Sequence, residues 1–322
     1  MKKIAVVGLG NISNRHRRNI KKLFPQSFIY AVSASGNFPS EDVVDADAVC
    51  SNLNELPMNK LDFSIVASPA TLHAEHSLHF IRAGVPTLIE KPLSATNEHA
   101  VTVLNAVEYF KTPVAVGYCL RYLSSAKEIR KILSSNLIGD IYNVHTEIGQ
   151  YLPDWRPGKD YKNTVSASRE LGGGALLELS HELDYLAWLF GEIQPVSAVL
   201  RSSDELNLNV EDSVDILAKS KSSVITIHLD FLQKKAHRQC RIIGSKAVLE
   251  WNLIKNQINY VDEKKEKMIF DGSQDDRNQM YLDMLTDFQA KISGKENTCI
   301  TVEEALETVN FINKVKKIAE NN

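Results

Sequence analysis

The sequence predicts two consecutive folds: a doubly wound α/β domain with a parallel sheet, and then an α+β domain with a mostly antiparallel, open sheet. Three observations support this prediction. Short apolar strands alternate with helices over the first third of the chain, a glycine turn follows the first strand, and the second half contains consecutive strands with short connections. Because 322 residues exceed what one hydrophobic core usually serves, we expect domains at 1–120 and 121–322.

The first third has the order of elements that a parallel sheet requires. Helical patterns run from the glycine turn to about residue 23, over 71–83 and over 98–110. The predicted strands are 4–7, 28–32, 63–67, 86–89 and 114–117. Such sheets bind ligands beyond the carboxyl ends of their strands, so the residues that follow each strand are candidate binding residues.

The turn after the first strand reads GLGNIS, residues 8–13. Gly8 permits the tight turn, and Gly10 lets the backbone approach a pyrophosphate. Asn11 and Ile12 begin the following helix, and Ser13 stands where the Rossmann dinucleotide fingerprint has its third glycine. We expect Gly8, Gly10, Asn11 and Ile12 to bind a nicotinamide cofactor.

The charges near the N-terminus suggest which cofactor binds. Residues 1–40 contain seven Lys or Arg and no Asp or Glu. A cation in the first turns of a helix, such as Arg15, opposes the helix dipole unless an anion is bound. Ser33 and Ser35 occupy the place of the acid that binds the ribose 2′-hydroxyl in NAD-preferring sites. This pattern favours NADP over NAD, and a merely solvated basic face is the alternative.

The stretch TLIEKPLS, residues 87–94, ends the fourth predicted strand. Charges and a proline stop a strand by themselves, because proline cannot donate to a sheet. Lys91 nevertheless lies at a carboxyl end, where a sheet of this kind binds its ligand. A simple strand end and a reactive lysine are therefore both open at this point.

The second half has a different pattern. Helices are predicted at 126–133, after the glycine turn within 172–191, and at 280–292 and 302–319. The predicted strands are 141–151, 196–201, 214–218, 223–231, 238–243 and 247–251. Consecutive strands with short connections indicate a mostly antiparallel sheet.

Two segments of this half carry chemistry. Glu178, His181 and Asp184 are spaced by three residues, so one helix face would hold them, and a carboxylate beside a histidine supports proton transfer. Such a histidine is often structural instead. Aromatic and cationic residues, among them Tyr151 and Trp155, alternate over 150–169 and suit a phosphate joined to a sugar or base. A structural or oligomer-facing loop is the alternative there.

Composition excludes several classes of protein. A net charge of -3 gives no reason to expect nucleic acid as a partner. No segment has the roughly 18 apolar residues that span a bilayer, and the apolar run at the N-terminus is too short for a signal peptide. The four cysteines show no metal-type pairing, so we expect no metal site and a cytoplasmic protein.

The chain resembles the glucose–fructose oxidoreductase, inositol dehydrogenase and rhizopine catabolism (Gfo/Idh/MocA) family over nearly its whole length. The resemblance rests on VVGLGNIS, on SPATLHAEHSLHFIRAGVPTLIEKPLS at 68–94, on GYCLRY at 117–122, and on the GGG helix. It implies a Rossmann domain, a second domain whose open sheet often mediates oligomers, and NAD(P)-dependent redox chemistry on sugars or polyols.

The resemblance also implies roles for individual residues. Lys91 matches the catalytic lysine of the family, and the proline after it is typically cis. His181 matches the catalytic histidine of the family. Glu178 matches the acidic residue of the family's helix, although it lies three positions before His181, whereas the family commonly has four residues between the acid and the histidine. The residues implied to contact the cofactor are Ser68, Pro69, His73, Glu90, Lys91 and Arg156. The residues predicted to contact the substrate, from the resemblance and from the patterns described above, are Tyr118, Arg121, Tyr151, Trp155, His181 and Asp184.

Together these observations predict an oxidoreductase that acts on a sugar derivative. An anionic or nucleotide-activated sugar of bacterial surface-sugar biosynthesis is the expected substrate, and a homodimer or homotetramer is the expected assembly. The alternative is a non-catalytic, cofactor-sensing regulatory protein of the same fold. The presence of both Lys91 and His181 argues against that alternative.

Overall fold

The computed structural model describes residues 1–39 and 42–321. The chain divides into two compact units, Met1–Tyr118 with Tyr281–Val309, and Cys119–Met280 with Asn310–Asn322. This division differs from the predicted domains 1–120 and 121–322, because Tyr281–Val309 belongs to the first unit.

The contacts of this returning segment explain the difference. The backbone N–H of Val116 donates to the carbonyl oxygen of Ile300 at 3.0 Å. The ring of Phe288 packs edge-on against Phe63, with 5.9 Å between the centroids. Both contacts join residues that are far apart in sequence, and periodicity within a short window does not reveal such pairings.

The first unit contains a six-stranded parallel sheet with the order β3-β2-β1-β4-β5-β6. Its strands are β1 (Lys3–Val7), β2 (Phe28–Val32), β3 (Ala48–Cys50), β4 (Phe63–Val66), β5 (Thr87–Ile89) and β6 (Val114–Val116). Helices α1 (Asn11–Leu23), α2 (His73–Arg82) and α3 (Asn97–Phe110) connect them. This confirms the predicted doubly wound Rossmann sheet. The order reverses between β1 and β4, which is the switch point where such sheets bind ligands.

The second sheet has eight strands in the order β14-β13-β12-β11-β7-β10-β9-β8. Among the described strands of this sheet, β7 and β10 alone pair in parallel, so the predicted mostly antiparallel sheet is confirmed. The strands are β7 (Ile141–Gly149), β8 (Gln194–Arg201), β9 (Ser213–Lys219), β10 (Val224–Asp230), β11 (His237–Gly244), β12 (Val248–Asn252), β13 (Gln257–Val261) and β14 (Glu266–Asp271). The remaining helices are α4 (Ser124–Ser134), α5 (Ala175–Glu178), α6 (His181–Phe190), α7 (Gln279–Ile292) and α8 (Val302–Glu320).

Successive side chains along the strands of the second sheet point alternately to a buried face and to an exposed face. In β7, Val144 and Thr146 are buried, whereas His145 is exposed and Glu147 is half-exposed. This is the expected pattern of an antiparallel sheet with one face in solvent. Across residues 1–39 and 42–321, no helix combines the length and the apolar character that crossing a bilayer requires.

Candidate functional site

The turn after β1 has the geometry of a nucleotide-binding turn. Gly8 has φ of +110°, and a Cβ built there would stand 2.4 Å from the carbonyl oxygen of Ala67. A Cβ on Gly10 would meet no atom of the described residues within 4 Å, so space is open beside the N-terminus of α1. Ser13 replaces the third glycine and keeps the close packing, because its buried hydroxyl donates to Ala67 O at 3.2 Å. The positive end of α1 thus faces a place where an anion fits.

The three arginines of α1 differ in their surroundings. Arg15 is exposed, and its guanidinium lies 4.6 Å from the ring centroid of Tyr281. Arg17 is 1% exposed and donates from Nε to the carbonyl oxygen of Val44 at 2.9 Å, and its burial lowers the pKa of the guanidinium. Arg18 is exposed, 3.9 Å from Asp45. Arg17 is therefore part of the fold, which leaves Arg15 and Arg18 as the basic surface of this helix.

The serines predicted to bind the ribose lie directly after β2. Ser33 is buried, and its backbone N–H donates to Cys50 O at 3.0 Å. Its hydroxyl lies 3.3 Å from the hydroxyl of exposed Ser35. Both hydroxyls therefore follow a strand at the carboxyl edge of the sheet, next to the Gly8 turn. Their prediction as ligands of the cofactor stays a prediction.

Lys91 lies at the tip of β5, and the Lys91–Pro92 peptide bond is cis, as the resemblance implies. Its neighbour Glu90 is buried, with Oε1 2.6 Å from His16 Nε2 and Oε2 accepting the Lys91 N–H at 3.1 Å. Burial by itself raises the pKa of the Glu90 carboxyl. The hydrogen bond from His16 and the charges of His16 and Lys91 outweigh burial, so the net pKa is lowered. Glu90 is thus a carboxylate at neutral pH.

The loop after β4 is tied to the Lys91 turn by His73. This histidine is buried, with Nδ1 2.7 Å from Pro92 O and Nε2 2.8 Å from Ser68 O. Burial lowers the pKa of His73, and the hydrogen bonds to the two backbone carbonyls oppose that shift. Both ring nitrogens of His73 therefore contact protein backbone, and its assignment as a cofactor ligand stays a prediction. Ser68 and Pro69 remain half-buried at the edge of the sheet.

Sequence reasoning missed His16. It is fully buried on the inward face of α1, together with Ser13, Arg17 and Ile20. The available signal was a polar residue on the buried face of the helix that follows a nucleotide-binding turn. A buried polar side chain requires a hydrogen-bond partner, and that partner is Glu90.

In the second unit, His181 and Asp184 share α6 as predicted, but Glu178 belongs to the preceding short helix, and the shared face of all three residues stays a prediction. Glu178 ends α5 and His181 begins α6, because the helix breaks at Leu179 and Ser180. At this break the Ser180 N–H donates to Leu177 O at 3.4 Å, a tighter bond of the i to i−3 kind, whereas the Leu179 N–H keeps an α-helical bond to Ala175 O at 3.0 Å. The Glu178 carboxylate accepts a hydrogen bond from Ser166 at 3.1 Å, and His181 is half-buried at the N-terminus of α6.

Arg121 and Asp184 form a buried, bidentate ion pair. Nε of Arg121 is 3.0 Å from Oδ2, and Nη2 is 2.7 Å from Oδ1. Their side chains are 7% and 0% exposed. The two charges therefore stabilise each other in the interior of the second unit, which is a structural role. Their prediction as substrate ligands stays untested.

The aromatic residues of the predicted substrate loop have protein partners. The ammonium of Lys234 lies 3.4 Å from the ring centroid of Tyr151, whose hydroxyl donates to Glu205 at 3.3 Å. The indole N–H of Trp155 donates to a backbone carbonyl at 3.2 Å, and its ring packs edge-on against another aromatic ring. Arg156 is half-buried beside them in sequence, and Tyr118, in the first unit, is fully buried. A purely structural loop would make the same contacts through Tyr151 and Trp155. These contacts therefore do not distinguish a structural loop from a substrate-binding loop.

Within the first unit, the structure brings most predicted cofactor residues to one edge of the sheet. The adjacent strands β2, β1, β4 and β5 end there, followed respectively by Ser33, Gly8, Ser68 and Lys91. Because all four strands are parallel, these residues share the carboxyl edge where a Rossmann sheet binds its ligand.

Comparisons with known proteins agree with this geometry. Residues 2–118 match the family model described as oxidoreductase family, NAD-binding Rossmann fold, and residues 126–250 match the GFO/IDH/MocA C-terminal domain. The rhizopine catabolism protein MocA of Rhizobium meliloti is 28% identical over 134 residues, which cover 41% of this chain and 39% of that protein. This chain thus matches well under half of that relative's length. Inositol 2-dehydrogenase of Agrobacterium fabrum is 26% identical over 257 residues, with coverages of 76% and 72%.

Solved structures share the fold. Levoglucosan dehydrogenase in complex with NADH superimposes with a TM-score of 0.85 at 16% identity, covering 99% of this chain and 97% of that chain. The WlbA dehydrogenase from Bordetella pertussis, in complex with NADH and UDP-GlcNAcA, gives 0.81 at 18% identity, with coverages of 99% and 96%. At these identities the similarity concerns the fold.

Proposed function

Because this chain belongs to the GFO/IDH/MocA family of oxidoreductases, two of whose domain models match it, we propose that it is a nicotinamide-dependent sugar dehydrogenase or reductase. The observation that carries this proposal is the position of Lys91 at the carboxyl edge of the sheet that also carries the Gly8 turn. When bound, the nicotinamide accepts or supplies a hydride, and the carbon that exchanges it is a carbinol or carbonyl carbon of the substrate.

Lys91 is the proposed electrophilic residue. In oxidation of the carbinol, its ammonium donates a hydrogen bond to the substrate oxygen and stabilises the negative charge that develops there as the hydroxyl proton leaves. In the reverse direction the same bond polarises the carbonyl. A compact ammonium suits this role because it places a point charge at one atom.

His181 is the proposed residue for proton transfer. Its imidazole takes the hydroxyl proton of the substrate during oxidation and returns it during reduction. We retain Glu178 as a candidate catalytic residue, although its carboxylate accepts from Ser166 and lies in the helix before His181. Replacing His181 by alanine should slow turnover by about 10²–10⁴-fold if this assignment is right.

For the cofactor, we propose NADP in preference to NAD. The support is the run of residues 1–40 without an acid and the hydroxyl pair of Ser33 and Ser35 after β2. Both solved structures named above contain NADH, and this observation favours NAD instead. Binding of both oxidised cofactors, measured by calorimetry, decides between them.

For the substrate, we propose an anionic, nucleotide-activated sugar. The cations Arg156, Lys159 and Lys162 follow one another closely in sequence beside Tyr151 and Trp155, and planar and cationic groups together suit a sugar phosphate. The structural neighbour from Bordetella pertussis carries UDP-GlcNAcA. Neutral sugars and polyols are the competing substrates.

We also propose that the chain forms at least a dimer through the exposed face of the second sheet. Val199 and Leu217 are 59% and 40% exposed there. Charges of both signs flank them, which suits contact with an identical surface. A monomeric mass by light scattering at micromolar concentration would count against this assembly.

A substrate screen tests the main proposal. The purified chain is incubated with NADP and NAD against a panel of neutral sugars, polyols, sugar phosphates and nucleotide sugars, and nicotinamide absorbance is followed. Turnover with a nucleotide sugar and not with neutral sugars is the expected result. Cofactor binding without turnover of any panel member would support the regulatory alternative instead.

A further inference from the structure

The residue before Lys91 is held by a buried hydrogen-bonded chain. His16 Nε2 lies 2.6 Å from one oxygen of Glu90, and the other oxygen accepts the backbone N–H of Lys91 at 3.1 Å. Glu90 is ionised at neutral pH, so it has no proton to donate and both neighbours donate to it. The backbone that leads into Lys91 is therefore fixed to α1 through two hydrogen bonds, although His16 and Glu90 are 74 residues apart.

The Glu90 carboxylate lies where a side chain at position 117 would be too close to it. A Cβ on Gly117, just after β6, would stand 3.2 Å from three atoms of the Glu90 carboxyl group. The N–H of Gly117 meanwhile donates to Ile89 O at 2.7 Å, so the backbone of β5 and β6 is paired without any help from Glu90. The carboxylate is thus not needed to end the strand.

A gain in the free energy of unfolding does not by itself explain the buried Glu90 carboxylate. Desolvation of a buried charge often cancels the gain from its partner, and apolar residues of similar size then serve at least as well. Glu90 is only 6% exposed and therefore bears this cost, and His16 beside it is 0% exposed. Net stability alone therefore does not account for this buried pair.

We propose that His16 and Glu90 are positioning residues that fix the direction of Lys91 toward the reacting oxygen. The inference rests on the proposed catalytic role of Lys91. A lysine side chain has four methylene carbons joined by rotatable bonds, so the position of its ammonium depends on where its backbone is held. A displacement of about 1 Å in a reacting group can cost about 10²-fold in rate.

Hydrogen exchange tests the positioning without any substrate. Glu90→Gln leaves one carbonyl oxygen to serve two donors, and His16→Leu removes the donor on the other side. Both variants should exchange the amides of Lys91 and, beyond Pro92, of Leu93 and Ser94 about 10-fold faster, which corresponds to the loss of one hydrogen bond of ~1.4 kcal/mol. His16→Gln keeps an N–H donor and should stay close to the unmodified chain.

Thr87→Val is the matched control. It lies on the same strand, and its buried hydroxyl contacts the Ser64 hydroxyl at 2.9 Å and donates to Val85 O at 2.9 Å. Loss of this hydroxyl should lower stability without speeding exchange selectively at the Lys91 turn. Unchanged exchange at that turn in both Glu90→Gln and His16→Leu would overturn the inference.

Kinetics with the substrate from the screen tests the catalytic consequence. Glu90→Gln and His16→Leu should lower kcat by about 10–10²-fold while KM and the cofactor Kd change little, and His16→Gln should recover most of the rate. In a Lys91→Met background, Glu90→Gln should have no further effect, because no lysine remains to be positioned. Equal losses in both backgrounds would mark a merely structural role and overturn the inference.

The two proposals fail in different ways. If Lys91→Met keeps full turnover, the catalytic role of Lys91 is wrong, and the positioning role falls with it. If Lys91→Met is inactive while folded Glu90→Gln and His16→Leu keep the full kcat, only the positioning inference is wrong.

Discussion

Replacing Gly8 by alanine should destabilise the first unit strongly. The backbone there has φ of +110°, and the new Cβ would stand 2.4 Å from Ala67 O and 2.6 Å from the Ser13 hydroxyl oxygen. Backbone strain of this kind costs about 1–3 kcal/mol, and overpacking costs about as much again. The free energy of unfolding should therefore fall by about 2–6 kcal/mol, which lowers Tm by roughly 5–20 °C at this size.

Gly10→Ala is the matched control, two residues along the same turn. Gly10 has φ of -79°, and a Cβ there has open space among the described residues. Its Tm should change by no more than about 2 °C. Its affinity for the cofactor should fall, because the Cβ occupies the approach of the pyrophosphate.

Scanning calorimetry and cofactor titration on both variants measure these effects. A Gly8→Ala protein with unchanged Tm would refute the steric argument. A Gly10→Ala protein with full cofactor affinity would refute the assignment of this turn to the pyrophosphate.

Three further changes test other parts of the structure. Asp184→Asn should lower the free energy of unfolding by about 3–5 kcal/mol in denaturant titration, because Arg121 loses its buried, bidentate partner; normal stability with a raised KM would instead indicate substrate binding. The hydrogen bond with Asp230, and then the contacts with Asp215, raise the pKa of His228 to about 9. Its stabilisation is therefore complete below pH ~6.5, the value for an unfolded histidine, and is lost as pH rises through about 9. The Tm difference between the unmodified chain and His228→Asn should shrink from pH 6 to pH 10, and a difference that is constant over this range would contradict the account. Ser33→Asp should repel a 2′-phosphate and weaken NADP binding about 10-fold or more relative to NAD binding in calorimetry. Tighter binding of NAD than of NADP by the unmodified chain would contradict the NADP preference.

Much of the fold was predictable from local pattern. The strand at residues 28–32 is a continuous apolar run and that at 63–67 is apolar apart from Ser64, and the structure places them at Phe28–Val32 and Phe63–Val66. The glycine turn was predictable for the same reason, since positive φ at Gly8 has a direct signature in the sequence.

The parts that were missed depend on long-range contacts or on weak patterns. Strand β3 has only three residues, and β14 (EKMIFD) is a largely exposed edge strand whose charges hide its periodicity. The break before His181 depends on two residues, Leu179 and Ser180, that helix propensity alone does not exclude. The hydrogen bond between His16 and Glu90 joins two elements that are far apart in sequence, so the residues around either one do not predict it.

The most direct test of the central claim is the turnover number of Lys91→Met with the substrate from the screen, measured beside its cofactor Kd. The account predicts loss of most turnover with cofactor binding nearly intact, because the ammonium acts on the reacting oxygen and not on the fold. Lys91→Arg should not restore the rate, since a planar guanidinium cannot place its charge at the same point. A folded Lys91→Met protein that keeps the rate of the unmodified chain would contradict the account.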